Sequence, residues 1–302
     1  MSAFGKLWKR APLWRTCLVI GIGGIGMACF FPTPSIKHYA PWLPGSPQKF
    51  SDTPPPNTSP SDGAPTPFTH VELPDLNATI QNHISLAGHT LPLPKGEWHP
   101  VLKAQAMSDI PYSLIALMRT DHGAVTGFII AQAVQQPLPQ ISPDEMLTPC
   151  HDDRNYLTKL QITPSNVDCI FLGNVILPQS NMPAISFAEA ALKHTQTSGF
   201  PLPPFMINAD WIHANLIAPN QWTAVEEETF IAPLDPDTHQ LLAPLGSWSK
   251  ETLSRHPAAQ NFISASRQWL PLWQKALQQT YDNTLPSGSL SSAALKDPAA
   301  PQ

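Results

Sequence analysis

Cys150, His151, Asp152 and Asp153 stand side by side, the densest run of metal-ligating and proton-transferring side chains in the sequence. Two acids and an imidazole are donors that a divalent cation accepts. Neighbours on a strand point to opposite faces, however, and a calcium loop draws its oxygens from alternating positions, so the run fits a polar loop better than a cage. Asp210 and His213 form a second acid and imidazole pair, the elements of a general acid–base site. Three residues apart on a strand, they too face opposite ways. His151, Asp152, Asp153, Asp210 and His213 are therefore the candidate ligand-site residues, and no residue receives a catalytic assignment.

Other motifs point away from enzyme chemistry. The sequence holds no Gly-x-Ser-x-Gly nucleophile turn, no His-Glu-x-x-His and no phosphate-binding Gly-Lys-Ser/Thr loop. Gly21, Gly23 and Gly26 are spaced like a dinucleotide fingerprint. Yet Pro32, Pro34, Pro41, Pro44 and Pro47 follow where a packing helix should run, and the first acid is Asp52. No cofactor is expected on this ground, and the alternation at His151, Asp152 and Asp153 leaves no metal expected either. Glu226-Glu227-Glu228 reads as a solvated strand edge whose charge resists sheet-to-sheet pairing.

Cys150 and Cys169 are the only cysteines outside the N-terminal apolar segment. A bridge between them closes a loop of about 20 residues and is worth roughly 3 kcal/mol in the chain-entropy picture. Disulfides persist outside the cytoplasm, so the pairing implies export.

The elements that must position these residues are short, because 36 prolines punctuate the 302 residues and only 13% are charged. Strands are expected at Trp98 to Met107, Tyr112 to Met118, Ala124 to Val134, Val167 to Leu177, Phe205 to Ile217 and Trp222 to Ile231. Asp121-His122-Gly123 supplies a hairpin turn. Ser186 and Glu189 form a capping box that opens a helix, and Gly199 closes it. A longer helix spans Pro257 to Asn283, with Pro271 expected to kink or split it. Phe262, Trp269 and Trp273 recur at helical spacing and, with Trp248, suit a face packed under a sheet; an aromatic partner-binding face is the competing reading. The fold class is thus α+β: a mainly antiparallel sheet with packed helices at about 186–199 and 257–283, in one disulfide-stapled domain.

Around that body, residues 1–31 read as a membrane anchor or signal segment. Lys6, Lys9, Arg10 and Arg15 precede an uncharged run from Thr16 to Phe31. The length approaches a membrane span, and the basic flank places the N-terminus in the cytoplasm. A cleaved signal with Gly26 and Ala28 before the cut, or a lipoprotein signal with Cys29 acylated, are the alternatives. Residues 32–80 are a Pro-rich linker, 81–284 the exported domain and 285–302 a disordered tail. With the basic residues concentrated at the N-terminus, the body is more acidic than the net charge of −5 shows, which disfavours nucleic acid as a partner.

Leu93-Pro94-Lys95-Gly96-Glu97-Trp98, together with Cys150, Arg154, Tyr156, Asp168 and Cys169, resembles uncharacterised single-anchor periplasmic proteins of alphaproteobacteria, of the acetic-acid-bacterium kind, over roughly residues 85–282. The resemblance implies export and a domain type, with no mechanism attached. The expectation is an inner-membrane, single-pass protein, held by residues 16–31, whose periplasmic body binds an envelope protein partner in an accessory or scaffold role. A periplasmic hydrolase or small-ligand-binding protein is the alternative.

Overall fold

The computed structural model describes residues 68–107, 111–177, 186–284 and 287–301. The chain divides into two units, Met1–Ser61 and Asp62–Gln302. The first lies outside the described residues, and with it the segment 16–31 and most of the linker. Among the described residues no helix is long and apolar enough to cross a membrane.

The second unit is built on one antiparallel sheet. Its strands are β1 (Phe68–Glu72), β4 (Trp98–Met107), β5 (Pro111–Asp121), β6 (Ala124–Val134), β7 (Leu157–Thr163), β8 (Asn166–Ile176), β9 (Phe205–Ala218) and β10 (Gln221–Ile231), in the order β1-β4-β5-β6-β10-β9-β8-β7. A separate hairpin pairs β2 (His83–Leu86) with β3 (His89–Pro92). Two meanders, β4-β5-β6 and β7-β8-β9-β10, therefore meet where β6 pairs with β10. The strands expected at Phe205 to Ile217 and Trp222 to Ile231 continue the same sheet as those before them.

Local chemistry explains most of these elements. At the tip of β5 and β6, Asp121 pairs with Ala124, so the loop is His122 and Gly123, both with positive φ, 47° and 83°. That geometry turns a twisted hairpin in two residues. Helix α2 (Phe187–Thr197) is preceded by α1 (Pro143–Met146); at its start Ser186 Oγ accepts from the Glu189 backbone N–H at 3.2 Å. Further on come α3 (Lys250–Leu253) and α4 (Pro257–Tyr281). Pro271 does not split α4. Its buried stripe runs on both sides of the proline, through Phe262, Ile263, Trp269 and Leu270 and on to Trp273, Leu277 and Tyr281, and burial of that stripe outweighs one lost backbone bond.

The two faces of the sheet are covered differently. Ile115, Leu117, Ile129, Ile170, Ile207 and Trp211 face α4 and the β2–β3 hairpin. Trp248, Trp269 and Trp273 belong to this core, as the packing reading expects. On the opposite face Val101, Leu114, Met118 and Phe128 pack against Phe187 and Ala191 of α2. A third cluster gathers Cys150, Leu147, Val167, Phe171 and Ile212 beside it.

Cys150 and Cys169 are bonded, joining the 3-10 turn Thr148–His151 to β8, the next-to-edge strand. Both residues are buried. Replacing both cysteines with alanine is expected to lower unfolding stability by about 3 kcal/mol, read from the urea midpoint under oxidising conditions. An unchanged midpoint would mean that the loop is already held by its packing.

Two segments differ from the sequence reading. Phe68–Glu72, inside the stretch expected to be linker, is a strand that pairs antiparallel with β4. Five residues at a sheet edge are too few to show a period. The segment expected as a disordered tail holds helix α5 (Ser292–Leu295) and buries Ala294 and Asp297. It is fastened by Trp269 Nε1, which donates to the Ala294 carbonyl at 2.8 Å, and by Asp297, which pairs with Arg119 at 2.6 Å.

Candidate functional site

The sequence-predicted residues fall in three separate places. His151 is exposed on the 3-10 turn at the margin of the first of them. Asp152 and Asp153 line a cleft of about 710 Å³ at the edge of the sheet. Asp210 and His213 lie on opposite faces of β9, as alternation requires, and each joins a different buried polar cluster.

The cleft forms because β7 is shorter than β8. Pairing between them runs from Thr163 with Asn166 to Leu157 with Leu172 and goes no further. Beyond Leu172, β8 pairs only with β9 among the described residues. Leu177 N–H donates to Pro204 on the β9 side, and Tyr156 N–H donates to the Leu172 carbonyl on the other. By the alternation of an antiparallel ladder, the backbone groups of Asn174 and Ile176 point the same way as those of Leu172, towards the open edge. Ile176 itself is 65% exposed.

Charged groups rim that edge. Arg154 Nη2 meets Asp152 Oδ2 at 2.6 Å, and its N–H bonds hold the Asp152 carboxyl down at about 2. Lys250 Nζ donates to the Asp153 carbonyl at 2.5 Å, tying α3 to the loop. Beneath them Tyr156 hydroxyl donates to the Trp248 carbonyl and accepts from Asn174 Nδ2. Burial raises that phenol to about 12.

His213 belongs to a different structure. Its Nδ1 donates to Asp168 Oδ2 at 2.7 Å, and its Nε2 accepts from Asn215 Nδ2 at 2.7 Å. The carboxylate of Asp168 also accepts from Trp211 Nε1, Gln274 Nε2 and Gln278 Nε2. An imidazole oriented by an acid is half of a hydrolytic triad, but here the nitrogen that would take a proton from a hydroxyl is occupied by an amide. The cluster fastens α4 to β8 and β9.

The third place corrects the expectation of a solvated edge. Glu226, Glu227 and Glu228 lie on β10, which is flanked by β6 and β9 in the middle of the sheet. Alternation sends Glu227 to the α4 face, where its Oε1 accepts from Trp273 Nε1 at 3.0 Å and from Thr229 at 3.1 Å. Burial raises it to about 7. Glu226 and Glu228 point to the other face, where Glu228 is the direct cross-strand partner of Asp210. Oxygens of Asp210, Glu226 and Glu228 lie within 4.8 Å of one another. Burial, then mutual repulsion, raises Asp210 well above the usual carboxylate range. Burial, then Glu226, raises Glu228 to about 7. Glu226 is raised by burial, against a hydrogen bond from Gln132. A charge run without polar alternation looks like surface; only the pairing of β10 with β6 reveals it as core.

No family model matches the chain. Nor does any curated protein or solved structure.

Proposed function

We propose that this is a single-pass inner-membrane protein whose disulfide-stapled α+β body lies in the periplasm and works by binding another envelope polypeptide. The apolar run Thr16 to Phe31 behind a basic flank supports the anchor, and the Cys150–Cys169 bond supports export. The observation that carries the binding reading is the open edge of β8. An edge with unpaired backbone groups is a template for another strand, and proteins usually guard such edges with charge or cover. Here the strand itself carries an exposed isoleucine, and the charged groups stand on the rim around it. An extended segment laid along Asn174 and Ile176 gains main-chain hydrogen bonds, while the rim of Asp152, Arg154 and Lys250 selects among sequences.

The cleft's volume also suits a small polar ligand, which is the second reading. The hydrolase form of that alternative has less support, because the His213 and Asp168 pair is closed off by Asn215.

A photo-crosslinking residue at Ile176 of the full chain, irradiated in intact native cells, tests the proposal. A light-dependent adduct with one defined polypeptide is expected, absent when the residue stands at Leu272 on the exposed side of α4. Ile176→Lys should reduce co-purification of that polypeptide at least about tenfold, roughly 1.4 kcal/mol, with no change in melting temperature. Equal labelling from both positions would sink the strand-addition reading and favour the small ligand.

A further inference from the structure

We propose that Asp210, Glu226 and Glu228 form a binding site for a hard divalent cation, with calcium preferred. The site stands apart from the β8 edge in its chemistry. It is built on the adjacent strands β9 and β10, on the face opposite α4.

Geometry comes first. Two oxygens bound to one calcium at about 2.4 Å can lie at most about 4.8 Å apart. The three carboxyls meet that limit with no rearrangement of the strands. All donors are oxygens, and no cysteine or histidine joins them, which excludes the usual zinc set.

A second observation points to a missing partner. Asp210 is 1% exposed, and its Oδ1 accepts no hydrogen bond. A buried acceptor without a donor costs about 1–3 kcal/mol, so this atom within a knot of acids calls for a cation or an equivalent donor. Among the described residues no lysine, arginine or histidine forms an ion pair with any of the three acids. Among the same residues, the side-chain donor bonded to them is Gln132 Nε2, on Glu226.

Calcium is preferred over magnesium because of what holds the ligands. Magnesium demands a near-ideal octahedron, whereas calcium accepts irregular shells of six to eight oxygens. Carboxyls fixed to two paired strands cannot regularise around a small ion.

The test is calorimetric titration of calcium chloride into the purified full chain, kept in mild detergent after stripping with chelator. One calcium per chain is expected, with magnesium at least about tenfold weaker. Asp210→Asn and Glu228→Gln should each weaken calcium binding about tenfold or more. Both should fold, since each swaps a crowded buried acid for a neutral side chain of nearly the same shape, and their melting temperatures in chelator should match or exceed the parent's. At a fixed calcium concentration the melting temperature of the parent should rise by more than that of either variant. Absence of saturable calcium heat from folded parent protein overturns the proposal. So does unchanged affinity in both variants. Equal affinity for magnesium overturns the calcium preference.

Discussion

Replacing Asp297 with alanine is expected to destabilise the folded body by about 3–5 kcal/mol, although the residue lies close to the C-terminus. Its carboxylate is the counter-ion of Arg119, with Nη1 to Oδ2 at 2.6 Å and Nη2 to Oδ1 at 3.0 Å, and both side chains are sealed from solvent. Arg119 sits on β5 beneath the ring of Trp98, 5.0 Å from its centroid, and also donates to the Lys95 carbonyl at 2.9 Å. Gly96 makes this socket possible. Its φ is +136°, and a Cβ there would meet Arg119 Cδ at 2.5 Å. Removing the acid leaves a buried guanidinium without its counter-charge, and that uncompensated charge sets the size of the effect. The urea midpoint, at unchanged slope, is the measurement. Arg119→Met in the Asp297→Ala background should recover most of the loss, because the double variant has no orphaned charge. Ending the chain at Thr284 should cost about as much as the single substitution. A loss below about 1 kcal/mol in Asp297→Ala would show that water reaches the socket.

The same contact gives the hexapeptide Leu93 to Trp98 its place in the fold. It supplies the Trp98 ring, the Lys95 carbonyl and the space at Gly96, all of them framing Arg119. That role cannot be inferred without the acid that arrives from 178 residues beyond Arg119. Residues 285–302 are rich in Ser, Ala and Pro and have no amphipathic period, so composition alone places them outside the core. A buried ion pair, a tryptophan bond and the Lys95 N–H donating to the Leu295 carbonyl at 2.7 Å bring Ala294, Leu295 and Asp297 into it.

Features encoded locally were legible. The His122-Gly123 turn, the Ser186 cap and the α4 stripe each depend on residues within a turn or two of one another. The disulfide followed from counting cysteines outside the apolar segment. The candidate site was legible only as single residues. Alternation along β9 correctly separates Asp210 from His213, but their true partners lie on other strands: Glu228 across β10 and Asp168 across β8. Strand order decides those partners, and nothing in the spacing of Glu226 to Glu228 states that β6 will close over one side of β10 and β9 over the other. An edge strand and a central strand can share the same local sequence.

Asp168 carries the second large effect. Asp168→Ala is expected to cost about 3–5 kcal/mol, in the range of breaking a buried polar network by removing one member. Four donors converge on its carboxylate, two from β9 and two from α4, so the residue joins sheet to helix. Gln274 and Gln278 are half-buried and can turn towards water when the acceptor goes. Trp211 and His213 are buried and cannot, so their N–H groups bear the penalty. This division makes a specific forecast for a double-mutant cycle. Asp168→Ala and His213→Phe should be coupled by more than about 1 kcal/mol, because removing the imidazole also removes one orphaned donor. Asp168→Ala and Gln274→Ala should be nearly additive. Equal coupling in both cycles would mean that the glutamines are as tightly held as the histidine, and that α4 is fastened from both sides of the acid.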